Sequence, residues 1–132
     1  MNIKKHHQQK KIGFKHFIGS LRNALRGLSL LFHFEYNLYI QSTLGILAII
    51  LGFLLPISRF EWLSIIIVIT LVIFAELTNT SIEKIMDFIQ PDYDERVRDI
   101  KDLAAGAVLF VSFISLVVAV IIFIPKIIIF FI

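Results

Sequence analysis

The sequence predicts an all-α integral membrane protein, in which an N-terminal amphipathic interfacial helix precedes three transmembrane helices. Hydrophobic residues make up 58% of the 132-residue chain, and its mean hydropathy of +0.85 is far above that of an ordinary soluble domain. Three apolar segments each reach the ~20 residues that a helix needs to cross the hydrocarbon core. The prolines stand near segment ends, where they disturb a helix least.

The first 34 residues divide into a basic tail, 1–12, and a predicted interfacial helix, 13–34. The paired histidines of the tail are typical of a solvated segment, since a metal site needs further ligands at defined spacing. Over 13–34, apolar residues recur at helical spacing while basic and polar residues fill much of the opposite face. This pattern is typical of a helix lying in the membrane interface with its basic groups toward anionic headgroups.

The transmembrane helices are predicted over 38–57, 62–85 and 103–124. A short polar link joins the first two, and a longer polar loop, 86–102, joins the second and third. At this length the chain, 1–132, is predicted to be a single domain.

The placement of Lys and Arg predicts the orientation in the cell membrane. Seven of the 13 basic residues precede residue 30 and four more lie within 84–101, whereas the 58–62 link and the C-terminal tail carry one each. Because cytoplasmic segments are enriched in Lys and Arg, we expect the N-terminus and the 86–102 loop to be cytoplasmic. The basic segment carries no nucleic-acid recognition motif, so the expected partner is the membrane and not nucleic acid.

One polar cluster interrupts the apolar pattern of the second transmembrane segment. Glu76, Asn79, Thr80 and Glu83 are spaced i, i+3, i+4 and i+7, so they share one face of a helix. A carboxylate within a membrane helix costs about 2.5–3.5 kcal/mol on insertion scales, so two of them on one face indicate a function.

Three more charged residues are predicted at the same cytoplasmic depth: Lys101, Asp102 and Glu35. Carboxylate oxygens suit Mg²⁺, which commonly binds one or two carboxylates together with substrate phosphates. A lysine can neutralise phosphate charge, and a carboxylate can accept a hydroxyl proton during phosphoryl transfer. The sequence contains neither a P-loop nor a kinase-type glycine loop.

The residues by themselves leave several functions open. Intramembrane acids also mark cation or proton pathways, so a small transporter subunit has similar weight to an enzyme at this point. A structural or regulatory membrane protein is a third alternative, in which the acids are solvated helix ends or contacts between subunits.

Two motifs resemble the small prokaryotic diacylglycerol kinase and undecaprenol kinase family. Residues 76–83 read ELTNTSIE, similar to the family pattern E-x-x-N-T-A-I-E, and residues 100–108 read IKDLAAGAV, similar to A-K-D-x-x-x-A-A-V. The resemblance covers about 14–124. It implies an ATP- and Mg²⁺-dependent kinase of a membrane lipid alcohol, assembled as a homotrimer with active sites shared between protomers.

The resemblance also implies roles for individual residues. Glu76 would be the general base near the lipid hydroxyl, and Asn79 would help to bind and position the substrate. Glu35 and Glu83 would coordinate the Mg²⁺ that bridges the ATP phosphates. Nucleotide contacts would come from Lys101, Asp102, Asp94, Glu95 and His16.

The entry segment Glu35-Tyr36-Asn37 looks more like the Gram-positive branch of this family, which favours undecaprenol as substrate and undecaprenyl phosphate as product. The alternative is a diacylglycerol kinase that makes phosphatidic acid. Two departures from the family are Tyr39, where Arg is common, and Gln41, where Gram-positive members often have His.

Overall fold

The computed structural model describes residues 14–34 and 36–132, and these form four helices: α1 Phe14–Phe34, α2 Tyr36–Leu54, α3 Arg59–Ile89 and α4 Glu95–Phe131. By length and composition, α2, α3 and α4 can each cross a membrane. The predicted fold class is therefore confirmed. The basic tail 1–12 and Glu35 lie outside the described residues.

Helix α1 packs little of its surface against the rest of the chain. The large apolar side chains of α1 whose exposure the structure describes are substantially exposed, among them Phe17, Leu21, Leu25 and Leu28. Because the same helix is amphipathic, the exposed apolar stripe matches the prediction of a helix that rests its apolar face on lipid.

A capping box starts α3. The Ser58 hydroxyl accepts a hydrogen bond from the Glu61 backbone N–H, and the Glu61 carboxylate accepts one from the Ser58 backbone N–H. Two backbone donors that the helix leaves unpaired are thereby satisfied. As a result α3 begins at Arg59, slightly before the predicted boundary at residue 62.

Helices α3 and α4 form an antiparallel pair that is held by ion pairs at both ends. At one end, Lys126 Nζ lies 3.4 Å from Glu61 Oε1. At the other end, the Lys101 ammonium pairs with the Asp87 carboxylate. We call these the Glu61 end and the Asp87 end of the bundle.

The predicted loop 86–102 is wrong in extent. Helix α3 continues to Ile89 and α4 begins at Glu95, so the connection is only residues 90–94. Hydropathy reports where the hydrocarbon ends, whereas the backbone remains helical into the aqueous layer. The 31 residues of α3 span about 46 Å, which exceeds a hydrocarbon core of ~30 Å.

The third transmembrane helix also extends beyond its predicted end at residue 124. Helix α4 passes through Pro125 and ends at Phe131. A proline removes one backbone hydrogen bond, but neighbouring contacts can keep a membrane helix intact around it. Here Lys126 pairs with Glu61 and Ile127 packs on the buried apolar cluster, so both residues after Pro125 are held in place.

The apolar core of the chain lies nearer the Glu61 end. It consists of Leu55, Ile65, Ile122 and Phe123, with partly buried apolar side chains from α2, α3 and α4 packed around them. Most other large apolar side chains of α2, α3 and α4 are exposed, as expected of surfaces that face lipid or another protein.

Two glycines allow α2 to approach α3 closely. Gly45 and Gly52 are both buried, and they lie two turns apart on the face of α2 that meets α3. A Cβ on Gly45 would lie 3.5 Å from Ile69, and a Cβ on Gly52 would lie only 2.8 Å from the Trp62 ring. Small residues at helix contacts are a common means of close packing in membranes.

Candidate active site

The polar cluster predicted on the second transmembrane helix is buried within the bundle. Glu76 is 1% exposed, Thr80 is 5% exposed and Asn79 is 7% exposed. All three lie on the face of α3 that meets its neighbours, because they are spaced by three and four residues. A carboxylate buried this deeply in an apolar bundle is costly, so its environment must supply polar partners.

Helix α2 supplies one partner for Glu76. Gln41 Nε2 donates a hydrogen bond of 2.9 Å to Glu76 Oε1. In the sequence, Gln41 is distinguished only as a departure from the family pattern, and no role was predicted for it. The available signal was its position one helical turn before Gly45, which places it on the face of α2 that meets α3.

A second hydrogen bond joins two residues of the cluster along α3. Asn79 Nδ2 donates to Glu83 Oε1 at 3.0 Å. The other amide atom, Asn79 Oδ1, is buried without a hydrogen-bond partner among the described residues, and so is Thr80 Oγ1. Buried polar atoms without partners are uncommon in native proteins, so these two acceptors indicate that a ligand, water or a further protein chain completes the site.

Four of the five residues predicted to contact the nucleotide lie at the Asp87 end, and His16 is the exception. Lys101 is half-buried and holds Asp87, which is one turn beyond Glu83 on α3. Asp102, beside it on α4, is exposed. The structure therefore places one lysine and two carboxylates of facing helices at the mouth of the polar cluster.

Asp94 and Glu95 are engaged in local interactions at the start of α4. Asp94 is the N-cap: its Oδ1 accepts from the Arg96 backbone N–H at 2.8 Å, and its Oδ2 lies 2.9 Å from Arg96 Nη2. These bonds to Arg96 lower the pKa of the Asp94 carboxyl from 3.8 to about 2. Glu95 forms an ion pair with Arg98 at 3.3 Å.

Two further predicted site residues are His16 and Glu35. His16 is exposed on α1, and no described hydrogen bond or ion pair connects it with another predicted site residue. Glu35, a predicted metal ligand, lies outside the described residues. Within residues 14–34 and 36–132, no three His, Cys, Asp or Glu side chains form a group that could hold a metal ion.

An apolar cavity of about 360 Å³ lies between α2, α3 and α4. Gln41 lines the cavity, and Glu76, to which Gln41 is bonded, follows the cavity-lining Val72 by one turn on α3. The lining is otherwise aliphatic apart from Phe123, Ser112 and Ser115. The cavity thus has the polar cluster at one end and the apolar core at the other.

Comparison with known proteins adds a finding independent of this geometry. The family model for prokaryotic diacylglycerol kinase matches residues 22–123, which is most of the chain. The chain belongs to this family. The resemblance inferred from the two motifs is thereby confirmed, as is the prediction that the protein is an enzyme of the lipid kinase type.

Two relatives agree with this membership. The chain is 32% identical over 126 residues to a protein of Bacillus subtilis named undecaprenol kinase, and the match covers 96% of this chain and 99% of that protein. It is 31% identical over 100 residues to a protein of Synechocystis named diacylglycerol kinase, covering 75% of this chain and 57% of that protein. Membership in a kinase family implies ATP as the phosphoryl donor.

Proposed function

We propose that this lipid kinase phosphorylates undecaprenol, with ATP and Mg²⁺, to form undecaprenyl phosphate. The choice of undecaprenol rests on the match to the undecaprenol kinase, which spans nearly the whole of both chains. The match to the diacylglycerol kinase covers little more than half of that protein. Diacylglycerol is therefore the second candidate substrate.

The buried carboxylate of Glu76 is the proposed general base. It lies on the face of α3 that carries Asn79, and its partner Gln41 lines the apolar cavity. In the proposed reaction the lipid hydroxyl oxygen attacks the γ-phosphorus of ATP and its proton passes to Glu76. A bond forms between that oxygen and the γ-phosphorus, the bond from the γ-phosphorus to the bridging oxygen breaks, and ADP leaves.

Charge at the Asp87 end supports a role in binding the phosphates of ATP. The ammonium of Lys101 is held between α3 and α4 by Asp87, one turn beyond Glu83. When ATP arrives, the phosphates would compete with Asp87 for this ammonium. Asp102, Glu95, Asp94 and His16 remain proposed nucleotide contacts, although Asp94 already caps α4.

The donor set near Glu83 fits a hard divalent cation. Glu83 and Asn79 lie one turn apart, and Asn79 Oδ1 is a buried acceptor without a partner in the described part of the chain. Carboxylate and amide oxygens are the ligands that Mg²⁺ prefers, together with substrate phosphates and water. Glu83 and Glu35 are the proposed protein ligands, and bound Mg²⁺ would neutralise charge on the transferred phosphoryl group.

Two observations support assembly as a homotrimer with shared sites. Asn79 Oδ1 and Thr80 Oγ1 are buried acceptors that the described residues leave unpaired, and most of the apolar surface of α3 and α4 is exposed. A neighbouring copy would cover such a surface and could complete the polar cluster. The excess of basic residues near α1 and the Asp87 end supports a cytoplasmic N-terminus and active site.

A transfer assay in detergent micelles tests the reaction and the substrate together. Labelled ATP and Mg²⁺ are supplied with undecaprenol and with diacylglycerol in parallel. We expect label mainly in undecaprenyl phosphate. Preferential labelling of phosphatidic acid would overturn the choice of lipid but keep the mechanism. Absence of labelled lipid from folded protein with either alcohol would contradict the lipid kinase activity, and ion flux in liposomes would then be measured.

Substitution of the proposed base tests its role. Glu76→Gln should lower kcat by about 10²–10⁴-fold, the usual contribution of a positioned general base. Glu61→Gln is the control, because Glu61 is also a partly buried carboxylate of α3 but lies at the opposite end of the bundle. If Glu76→Gln turns over within a few-fold of the unaltered enzyme, Glu76 is not the base.

Substitution of Lys101 tests the proposed phosphate contact. Lys101→Ala removes an ammonium that would face the negative charge of ATP, so we expect the KM for ATP to rise by about tenfold or more. The KM for the lipid alcohol should change little, which separates this effect from a general loss of folding. An unchanged KM for ATP would contradict the assignment.

A further inference from the structure

Gln41 is positioned by the packing of α2 rather than by a local interaction. Leu38, one turn before it, is 0% exposed, and Gly45, one turn after it, is buried against Ile69 of α3. The three residues share one face of α2, and Gln41 and Gly45 meet α3 on that face. The amide of Gln41 consequently reaches across to Glu76 Oε1 at 2.9 Å.

This hydrogen bond fixes the direction of the Glu76 Oε1 atom, and with it the direction of the second carboxylate oxygen. Because an amide neither loses nor gains a proton near neutral pH, Gln41 can hold the carboxylate without competing for the proton being transferred.

The oxygen of the Gln41 amide indicates that this residue does more than join α2 to α3. Gln41 Oε1 is buried and has no hydrogen-bond partner among the described residues, while the side chain lines the apolar cavity. A glutamine that served only to join two helices would be expected to satisfy both amide atoms. The amide is instead anchored at Glu76 and borders the space that the lipid substrate would enter.

We propose that Gln41 is a positioning residue for the phosphoryl transfer, which holds the Glu76 carboxylate correctly directed at the polar end of the cavity. This inference rests on the proposed function, with Glu76 as the base. It assigns to α2 a part in the reaction that the motifs on α3 and α4 do not contain. It also explains why a nitrogen donor occupies a position that faces a buried acid.

The test measures kcat and the KM for ATP separately in three variants of Gln41. Gln41→Met keeps the length of the side chain but removes the donor, and Gln41→Asn keeps the amide but shortens its reach by one methylene. Both should lower kcat by about tenfold to a hundredfold, the usual consequence of losing a hydrogen bond to a charged group, with little change in the KM for ATP. Gln41→His, which offers a ring N–H donor, should recover most of the lost rate.

Thr43→Val is the matched control on the same helix. The Thr43 hydroxyl donates within α2 to the Tyr39 carbonyl at 2.8 Å, so its removal should leave kcat unchanged. Rates are compared per folded protein, with the folded fraction measured by SDS titration. Full activity in Gln41→Asn and in Gln41→Met would overturn the inference, even if either variant were less stable.

A double variant distinguishes this inference from the proposed function. If Gln41 acts through Glu76, Gln41→Met should cause no further loss of kcat in the Glu76→Gln background. An additional tenfold loss there would contradict action through Glu76. If Glu76→Gln alone retains full activity, the proposed base is wrong. If Glu76→Gln is inactive but Gln41→Asn and Gln41→Met are active, only the positioning role fails.

Discussion

The contact between Gly52 and Trp62 offers a sharp test of how closely α2 packs on α3. In Gly52→Ala the new Cβ would lie 2.8 Å from Trp62 Cη2, 2.9 Å from Trp62 Cζ2 and 3.0 Å from Ile57 Cδ1. An ordinary contact between carbon atoms needs about 3.5 Å, so the indole ring must retreat by about 0.7 Å. Phe53 packs against the same ring with centroids 4.9 Å apart, which restricts that movement.

The expected cost follows from two opposing terms. Adding a methyl group to a tightly packed site costs about 1–3 kcal/mol. Replacing a helical glycine with alanine stabilises the protein by about 0.5–1 kcal/mol, because alanine loses less backbone entropy on folding. We therefore expect Gly52→Ala to lower the free energy of unfolding by roughly 1–2 kcal/mol, and about 1.4 kcal/mol corresponds to a tenfold change in the folding equilibrium.

Gly45→Ala is the matched control, because it makes the same change on the same face of the same helix. Its Cβ would meet Ile69 at 3.5–3.7 Å, which is ordinary van der Waals contact. Because the new methyl group is not overpacked, the gain in backbone entropy from replacing a helical glycine should dominate. We expect it to stabilise the protein by about 0.5–1 kcal/mol. The two alanine variants should therefore differ by about 2 kcal/mol, in opposite directions from the unaltered protein.

Unfolding by SDS in mixed micelles measures this difference, and the protein carries its own probe. Trp62 is the only tryptophan in the chain, so its fluorescence reports on the contact itself. Circular dichroism follows the loss of helix in the same samples, at one fixed protein concentration because assembly would shift the midpoint. Equal midpoints for the two alanine variants, with unchanged Trp62 emission, would refute the packing described between α2 and α3.

Two further predictions concern helix caps, and both can be measured by the same SDS titration. Ser58→Ala removes the capping box of α3 and should cost about 1 kcal/mol, whereas an unchanged midpoint would contradict the cap. Asp94 has its pKa lowered from 3.8 to about 2 by Arg96, so its stabilising effect is complete above pH 4 and is lost as the pH falls through 2. Between pH 4 and pH 2, Asp94→Asn should therefore lose less stability than the unaltered protein. Equal losses of stability in the two proteins would contradict the lowered pKa of Asp94.

Hydropathy and spacing were sufficient for the membrane architecture and for part of the site. Length and composition alone predict three spanning helices, because a helix in lipid must present apolar side chains for ~20 residues. The spacing of Glu76, Asn79 and Glu83 predicts a shared face, because helical geometry is the same in every context. The two motifs predicted the family that the comparison confirmed.

Helix ends were harder to predict for a physical reason. The apolar pattern stops where the hydrocarbon stops, but the backbone hydrogen bonds of a helix continue into water at little cost. The actual ends depend on caps such as Ser58 and Asp94, and on contacts such as that between Glu61 and Lys126, which hold the residues beyond Pro125.

The sequence by itself determined which residues are apolar enough to span the membrane and which polar side chains share a face of α3. Only the tertiary structure decided that Gln41 meets Glu76, and that Lys101 meets Asp87. Both contacts join different helices, so they depend on the rotation and vertical register of one helix against another. For α2 against α3 that register is set by packing at Gly45 and Gly52, and periodicity within a single helix carries no information about it.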